Sequence, residues 1–520
     1  MKLHMLDTSV FIAYVIGLLF IALWISRGSK NHERNTEDYF LASKALPWWA
    51  IGASLIASNI SAEQIIGMSG SGYALGLAIA SYEWMSAITL ILVGKYLLPI
   101  FLKNQIYTMP QYLEQRFDSR VKTVLALFWL AVYVFVNLTA VLWLGGLAIE
   151  TVAGVDWMFG MIFLAVFAIA YSLYGGLKAV AYTDILQVVL LVFGGLLLSY
   201  LALDAVSDGQ GVIAGFGVLT DKVPGHFDMI LSQDNPNYMN LPGISVLVGG
   251  MWVMNISYWG FNQYIIQRAL AAKNTQEAQK GIAFAAYLKL LMPIIVVLPG
   301  IAAVLLYPDL SKPDEAYPSM MNLMPVGLKG LVFAALVAAI VSSLASMTNS
   351  ISTIFTMDIY KPLRPNRSQT HYVHVGRIAT LLSLCIALFT AQPLLGQFDQ
   401  AFQYIQEFTG LFTPGIVVIF VMGMFWSKTT SQGALAAALG SAVFSVGFKV
   451  LWPELPFMDR IGLVFLLCLA ASVVVSLMGK RTCTDNSVSL SEVSFDTGKS
   501  FNIAAVGCVI ILTCFYVTWW

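Results

Sequence analysis

Runs of about 20 mostly apolar residues, set apart by short polar joints, recur along almost the whole chain. Each run can cross the hydrocarbon layer of a bilayer as a helix. In lipid only helices and closed barrels satisfy every backbone group, and runs of this length belong to helices. Reading by length gives about fourteen candidates, at 7–27, 47–73, 80–102, 121–150, 155–176, 180–204, 244–267, 280–307, 326–357, 370–392, 398–426, 430–450, 459–479 and 501–520. The expected fold class is therefore an all-α polytopic membrane protein. Composition agrees: only 11% of the 520 residues are charged, about half the share in soluble domains. The first run, from Val10 to Ile25, carries no basic leader and no clear small-residue cleavage site, so it reads as a retained helix.

The joints give an orientation. With the amino terminus outside, the inward loops hold Arg27, Lys30, Arg34 and Lys44, then Lys103, Arg116, Arg120 and Lys122, then Lys178. Further along they hold Arg268, Lys273, Lys280, Lys361, Arg364, Arg367, Arg377, Lys428, Lys480, Arg481 and Lys499. The outer side carries Lys2, Lys222, Lys312, Lys329 and Arg460. Lys and Arg gather on the cytoplasmic side, so both termini are expected outside. Zero formal net charge and the lack of a basic tract exclude nucleic acid as a partner. The five cysteines are scattered, four of them in apolar runs, and read as packing residues. Polar stretches at 205–243 and 308–325 fall outside, and a Ser/Thr/Asp segment at 480–500 falls inside and is expected to be flexible.

The apolar runs have polar exceptions. Residues 57–72 place Asn59, Glu63, Gln64, three glycines and four serines within a few turns. An intramembrane ionisable group costs at least a few kcal/mol unless it is paired or faces a water-filled cavity. The segment reads as a broken helix whose freed backbone lines a cavity, against the plainer reading of a polar helix interface on small residues. A second weak stretch holds Gly249-Gly250, Asn255, Ser257, Tyr258, Trp259, Gly260, Asn262 and Gln263. The two disrupted runs head two successive groups of five, 47–204 and 244–426. An odd number of spans per half inverts the second half, and inverted repeats place substrate between their broken helices. The expected organisation is an extra helix and inward loop (1–46), a first repeat (47–204), an outer loop (205–243), a second repeat (244–426) and extra carboxy-terminal helices (427–520).

Ser342 and Ser343 stand together in the run 326–357. A small hard cation such as sodium takes oxygen ligands, and adjacent hydroxyls with carbonyls freed at a helix break would supply them. The same serines would also serve helix packing. Glu83, Ser86, Asn137, Lys289, Gln403 and Gln406 are isolated polar residues in other runs, with Tyr82, Trp84, Tyr258 and Trp259 nearby. Glu83 stands at the start of its run, where an interfacial carboxylate is an ordinary alternative; Lys289 lies too deep to snorkel. Paired hydrogen-bonding groups beside aromatic rings suit a sugar.

At these residues the sequence resembles the solute:sodium symporter family, and its sugar-carrying members most of all. The resemblance rests on Ser58-Asn59-Ile60 with its Gly-rich continuation, Tyr82-Glu83-Trp84, and Pro110 to Phe117. It continues in Tyr174 to Val180 with Thr183-Asp184 and Gln187, Gln267 to Asn274, and Asp358 to Pro362. The resemblance implies a LeuT-type fold of two inverted five-helix units, with one extra helix before and three after. It implies sugar contacts from Asn59, Gln64, Glu83, Ser86, Asn255, Lys289 and Gln406. Tyr258 would be the inner gate with Trp259 beside it, and Met68, Tyr133 and Phe402 the outer gate. Sodium would be held by the Ser342 and Ser343 hydroxyls and the Ala57, Ile60 and Ala339 carbonyls, and Asp184 would lie on its way out. Animal sugar members often carry His where Gln64 stands, so sugar preference is not carried over from them.

The expected function is sodium-driven import of galactose or glucose by alternating access, with sodium co-transported. The expected partners are that sugar, sodium and the lipid bilayer, with a homodimer left open. The same fold could serve proline, pantothenate or an inositol, and a channel is a rival of another class. No zinc motif or nucleophile elbow supports an enzyme.

Overall fold

The computed structural model describes residues 3–26, 46–104, 106, 109–396, 398, 400–479 and 490–520; within them it describes the backbone alone for 22–26, 172–182, 184, 264 and 491. The described chain is helical, with one isolated parallel bridge between Leu46 and Ala272. Helix α1 (Met5–Ser26) is followed by α2 (Trp48–Asn59), α3 (Met68–Leu75), α4 (Ser81–Leu92), α5 (Ser119–Val132), α6 (Thr139–Ala153) and α7 (Trp157–Val206). Then come α8 (Gly250–Ile256), α9 (Gln263–Leu270), α10 (Thr275–Leu306), α11 (Leu328–Thr353) and α12 (Gln369–Leu395). The last are α13 (Ala401–Gly410), α14 (Thr413–Phe425), α15 (Ser431–Leu451), α16 (Phe457–Met478) and α17 (Lys499–Thr518). Among the described residues nine helices are long and apolar enough to cross a membrane, ten if α13 and α14 form one bent span. Met5–Ile21 and Trp157–Tyr171 are shorter apolar helices.

Both disrupted runs are broken where the polar residues gather. Helix α2 ends at Asn59, and Ile60 takes ψ 87°, outside the helical region. The Ser61 N–H, which a continuous helix would give to Ala57, goes to the Asn59 carbonyl at 2.9 Å. A π-helical turn, Glu63–Gly67, then leads into α3. In the second run α8 passes through a π turn, Ser257–Phe261, and Asn262 is extended (φ −82°, ψ 121°) before α9 begins. Single π turns inside α-helices recur at functional sites, because the extra residue leaves a carbonyl without its usual partner.

Two runs differ from a straight reading. The run 398–426 bends by 48° between α13 and α14, where Pro414 stands in the first turn of α14 and cannot continue the preceding helix. The runs 155–176 and 180–204 fall in one continuous helical segment, α7. Yet the Tyr171 and Thr183 hydroxyls are hydrogen-bonded to each other. Twelve residues of straight helix would set their Cα atoms about 18 Å apart, so α7 is not straight between them.

Burial sorts the helices. In the spanning segment 328–363, which contains α11, 94% of the apolar window is buried, against 28% for α15 and α16 and 17% for α17. The serine-bearing helix is therefore central, and the last three lie at the periphery with large apolar side chains such as Leu451, Met478 and Val517 facing outward, as lipid requires. Helix α1 is pinned to the start of α11: Asp7, buried, accepts the Gly327 and Gly330 N–H groups at 2.6 and 2.9 Å. The stretch 308–325 is no loose loop. Asp314, Tyr317 and Met320 are buried, and Asp314 packs so closely on α3 that a Cβ on Gly70 would clash with its Oδ1. The inward charges from Arg27 to Lys44, the segment 480–489 and Cys483 lie outside the described residues.

Candidate functional site

The two breaks open into one cavity lined from both sides by polar and aromatic side chains. Its wall is assembled from α2 (Asn59), the first π turn (Glu63, Gln64), α4 (Tyr82, Glu83, Ser86), α8 (Asn255), the second π turn (Tyr258, Trp259), α10 (Lys289) and α13 (Phe402, Gln406, Thr409). No single run carries more than a few of these polar groups, so each helix stays apolar enough for lipid while the cavity is polar. A third π turn, Tyr133–Leu138, supplies Tyr133 and Asn137.

At the centre Lys289 Nζ donates to Glu83 Oε2 at 2.6 Å and to Asn59 Oδ1, with both charged side chains almost wholly buried. The Lys289 ammonium also lies 5.1 Å from the centre of the Trp259 ring, close enough for a cation–π attraction. Asn59 Nδ2 in turn donates to the Tyr258 hydroxyl at 2.9 Å. On the adjoining wall Ser86 Oγ donates to Asn255 Oδ1 at 2.5 Å, and Tyr133 Oη donates to Asn262 Oδ1 at 2.7 Å. Tyr82 and Phe402 meet edge to face, centroids 5.1 Å apart.

Several buried polar atoms of this wall have no hydrogen-bond partner among the described residues: Glu63 Oε1, Gln64 Oε1, Trp259 Nε1 and Thr409 Oγ1. Leaving a buried donor or acceptor unmade costs about 1–3 kcal/mol. A cluster of acceptors with a donor among them, walled by aromatic rings, is relieved by a ligand that both donates and accepts. A polyhydroxylated ring does both.

About four turns into α11 lie Ser342 and Ser343, both fully buried. The Ser343 hydroxyl has no partner among the described residues. Ala57, Ile60 and Ala339 are buried as well, α2 packs against α11, and the Ala57 carbonyl is the one relieved of its helical N–H by the break. The hydroxyls and carbonyls of these residues are neutral oxygen atoms. Among the described residues no group of three or more His, Cys, Asp or Glu could hold a metal ion.

The model of the sodium:solute symporter family matches residues 39–440. The chain belongs to that family. Its members are transporters, not enzymes. A sodium/glucose cotransporter of Vibrio parahaemolyticus is 52% identical over 537 aligned positions, covering 100% of this chain and 99% of that one. A sodium/myo-inositol cotransporter 2 of Sus scrofa is 34% identical, covering 83% of this chain and 68% of the relative. Among solved structures, a substrate-bound, outward-open sodium-coupled sialic acid symporter superposes with TM-score 0.79 at 22% identity, over 92% of this chain and 98% of that one. A nucleobase-cation-symport-1 family transporter in a closed conformation superposes at 0.56 and 13% identity, over 87% and 98%. At these identities the structural likeness speaks for the fold.

In this symporter all seven sugar-contact positions expected from sequence, Asn59, Gln64, Glu83, Ser86, Asn255, Lys289 and Gln406, line the one cavity. Of the gate residues, Tyr133, Tyr258, Trp259 and Phe402 line it too; Met68, at the start of α3, is buried and does not line it. The Asp184 side chain lies outside the described residues. The sequence reading did not select Glu63 and Thr409 as contacts. Glu63 carried a usable signal as an intramembrane carboxylate next to Gln64. Thr409 follows Gln406 by three residues on α13 and so shares its face.

Proposed function

We propose that this chain is a sodium:sugar symporter that imports galactose or glucose down the sodium gradient. The observation that carries the reading is the set of unpartnered buried polar atoms, Glu63 Oε1, Gln64 Oε1, Trp259 Nε1 and Thr409 Oγ1, around the Lys289–Glu83 pair. The Vibrio relative named for glucose supports the sugar class. Asn59, Gln64, Glu83, Ser86, Asn255, Lys289 and Gln406 hold the sugar hydroxyls, and Tyr258 and Trp259 form its inner floor. Phe402, Tyr133 and Met68 close over it from outside. Sodium sits between the broken end of α2 and the serine pair of α11, on the Ala57, Ile60 and Ala339 carbonyls and the Ser342 and Ser343 hydroxyls, and leaves past Asp184.

The cycle is alternating access. Sodium fixes the broken end of α2, which carries Asn59, and so completes the sugar site. Sugar closes the outer gate, and the inner gate at Tyr258 then opens. The coupling is reciprocal: if sodium tightens sugar binding, sugar tightens sodium binding by the same factor. One positive charge crossing about 100 mV supplies about 2.3 kcal/mol, before any concentration gradient. The cycle fits fourteen spans in a LeuT-type five-plus-five inverted repeat (47–204 and 244–426), with extra helices at 1–46 and 427–520. It fits a bacterial inner membrane with both termini outside. It does not need a homodimer.

Tracer galactose uptake into proteoliposomes tests the reading. A sodium gradient should drive accumulation that an equal potassium gradient does not, and excess unlabelled glucose should compete. Equal uptake with both cations would sink the sodium assignment. The myo-inositol relatives favour a second polyol reading, and myo-inositol competing better than either hexose would establish it.

A further inference from the structure

A fully buried arginine stands beside the proposed sodium site, and nothing in the proposed cycle yet uses it. Arg268 is on α9, the half of the second broken helix that follows the Tyr258 turn, and is 2% exposed. Its Nε donates to Ser58 Oγ at 3.1 Å and its terminal nitrogen to Ser346 Oγ at 2.8 Å. Ser58 follows Ala57 and precedes Asn59 on α2; Ser346 lies three residues, about 4.5 Å of helix rise, beyond Ser343 on α11. One guanidinium therefore ties together the two helices that would hold sodium and the helix that moves with the inner gate. Bonds from a charged donor are roughly twice as strong as neutral ones, and the planar fork reaches two acceptors at once.

We propose that Arg268 is the positioning residue that couples sodium occupancy to the inner gate: it fastens α9 to α2 and α11 while sodium holds those two helices together, and it lets go when they part. This rests on the sodium:sugar reading above. Arg268 touches neither ion nor sugar. With sodium in place, Ser58 and Ser346 are held at the spacing the guanidinium spans, so α9 and the Tyr258 turn stay shut. When α2 and α11 separate, one of the two bonds must break and α9 is free to swing. Without the tie, the inner side opens whether or not sugar is bound. Sodium then leaks inward, and the outward-facing population that captures sodium shrinks, which raises the apparent sodium half-saturation by the same fraction.

The test compares Arg268→Gln and Arg268→Lys with the parent in proteoliposomes, reading sodium activation of galactose uptake, galactose KM at saturating sodium, and sodium flux without sugar. Arg268→Gln is expected to raise the sodium half-saturation about tenfold and to admit sodium without sugar, with galactose KM held within about twofold. Arg268→Lys, which keeps the charge but reaches one serine, should fall between. A purely structural arginine would lower the maximal rate with the amount of folded protein and leave the sodium half-saturation where it was; that outcome overturns the proposal. If Arg268→Gln does not fold, Ser346→Ala removes the shorter bond and must itself raise the sodium half-saturation at least twofold, and no change there overturns the proposal too. Parent uptake indifferent to sodium would instead overturn the underlying sodium reading, so the two failures are distinct.

Discussion

Replacing Lys289 with methionine keeps most of the side-chain volume and deletes one buried charge. The ammonium serves Glu83 at 2.6 Å, and the two side chains are 1% and 2% exposed; it also serves Asn59 Oδ1. Removing one member of a buried ion pair costs about 3–5 kcal/mol, because the other charge stays without water and without its partner. The lost Asn59 bond adds at most about 1–3 kcal/mol, and since both bonds end on the same nitrogen the two losses do not simply add. Lys289→Met should therefore destabilise the transporter by about 3–5 kcal/mol. Lys289→Met with Glu83→Gln removes both charges together and should recover most of that loss, leaving a coupling of about 2–4 kcal/mol. Unfolding free energies of the parent, both single variants and the double variant in mixed micelles close the cycle. Additivity within about 0.5 kcal/mol would refute the reasoning, since it would mean that the pair contributes as two separate groups. Galactose uptake should be lost in all three variants, because the recovered stability does not restore the charged hydrogen-bonding groups.

Ser343→Ala should raise the sodium half-saturation for uptake at least about tenfold, one ligand's worth of about 1.4 kcal/mol, while far-ultraviolet circular dichroism stays unchanged; unaltered sodium activation would move the ion elsewhere. Asp7→Ala removes the side chain that accepts the Gly327 and Gly330 N–H groups, and a melt in detergent should register a loss of about 1–2 kcal/mol, the usual worth of a helix cap. Burial raises the Asp314 carboxyl to about 7, with the Ala401 N–H and Lys312 pulling it back and Glu315 adding to the rise. A carboxyl raised on folding binds its proton more tightly in the folded state, so Asp314 is most favourable to the fold below about pH 4 and loses that contribution as pH rises towards 7. Asp314→Asn should flatten the melting temperature across that window, and an unflattened profile would assign the pH dependence to another group.

The sequence by itself determined the membrane class and both helix breaks. Length and hydropathy act locally, and a run with Asn59, Glu63 and three glycines cannot stay a plain lipid-facing helix. It also marked Lys289, Glu83 and Ser343 as polar groups in need of partners. Which partners they found was decided by tertiary structure, since Glu83 and Lys289 are 206 residues apart and Arg268 and Ser58 are 210 apart. Such pairs form only when helices distant in sequence pack together, and no periodicity within one run encodes that. The wedge at Asp314 against Gly70 likewise depends on neighbours distant in sequence. Local composition says that a buried polar group must be satisfied; only the packed helices say by what.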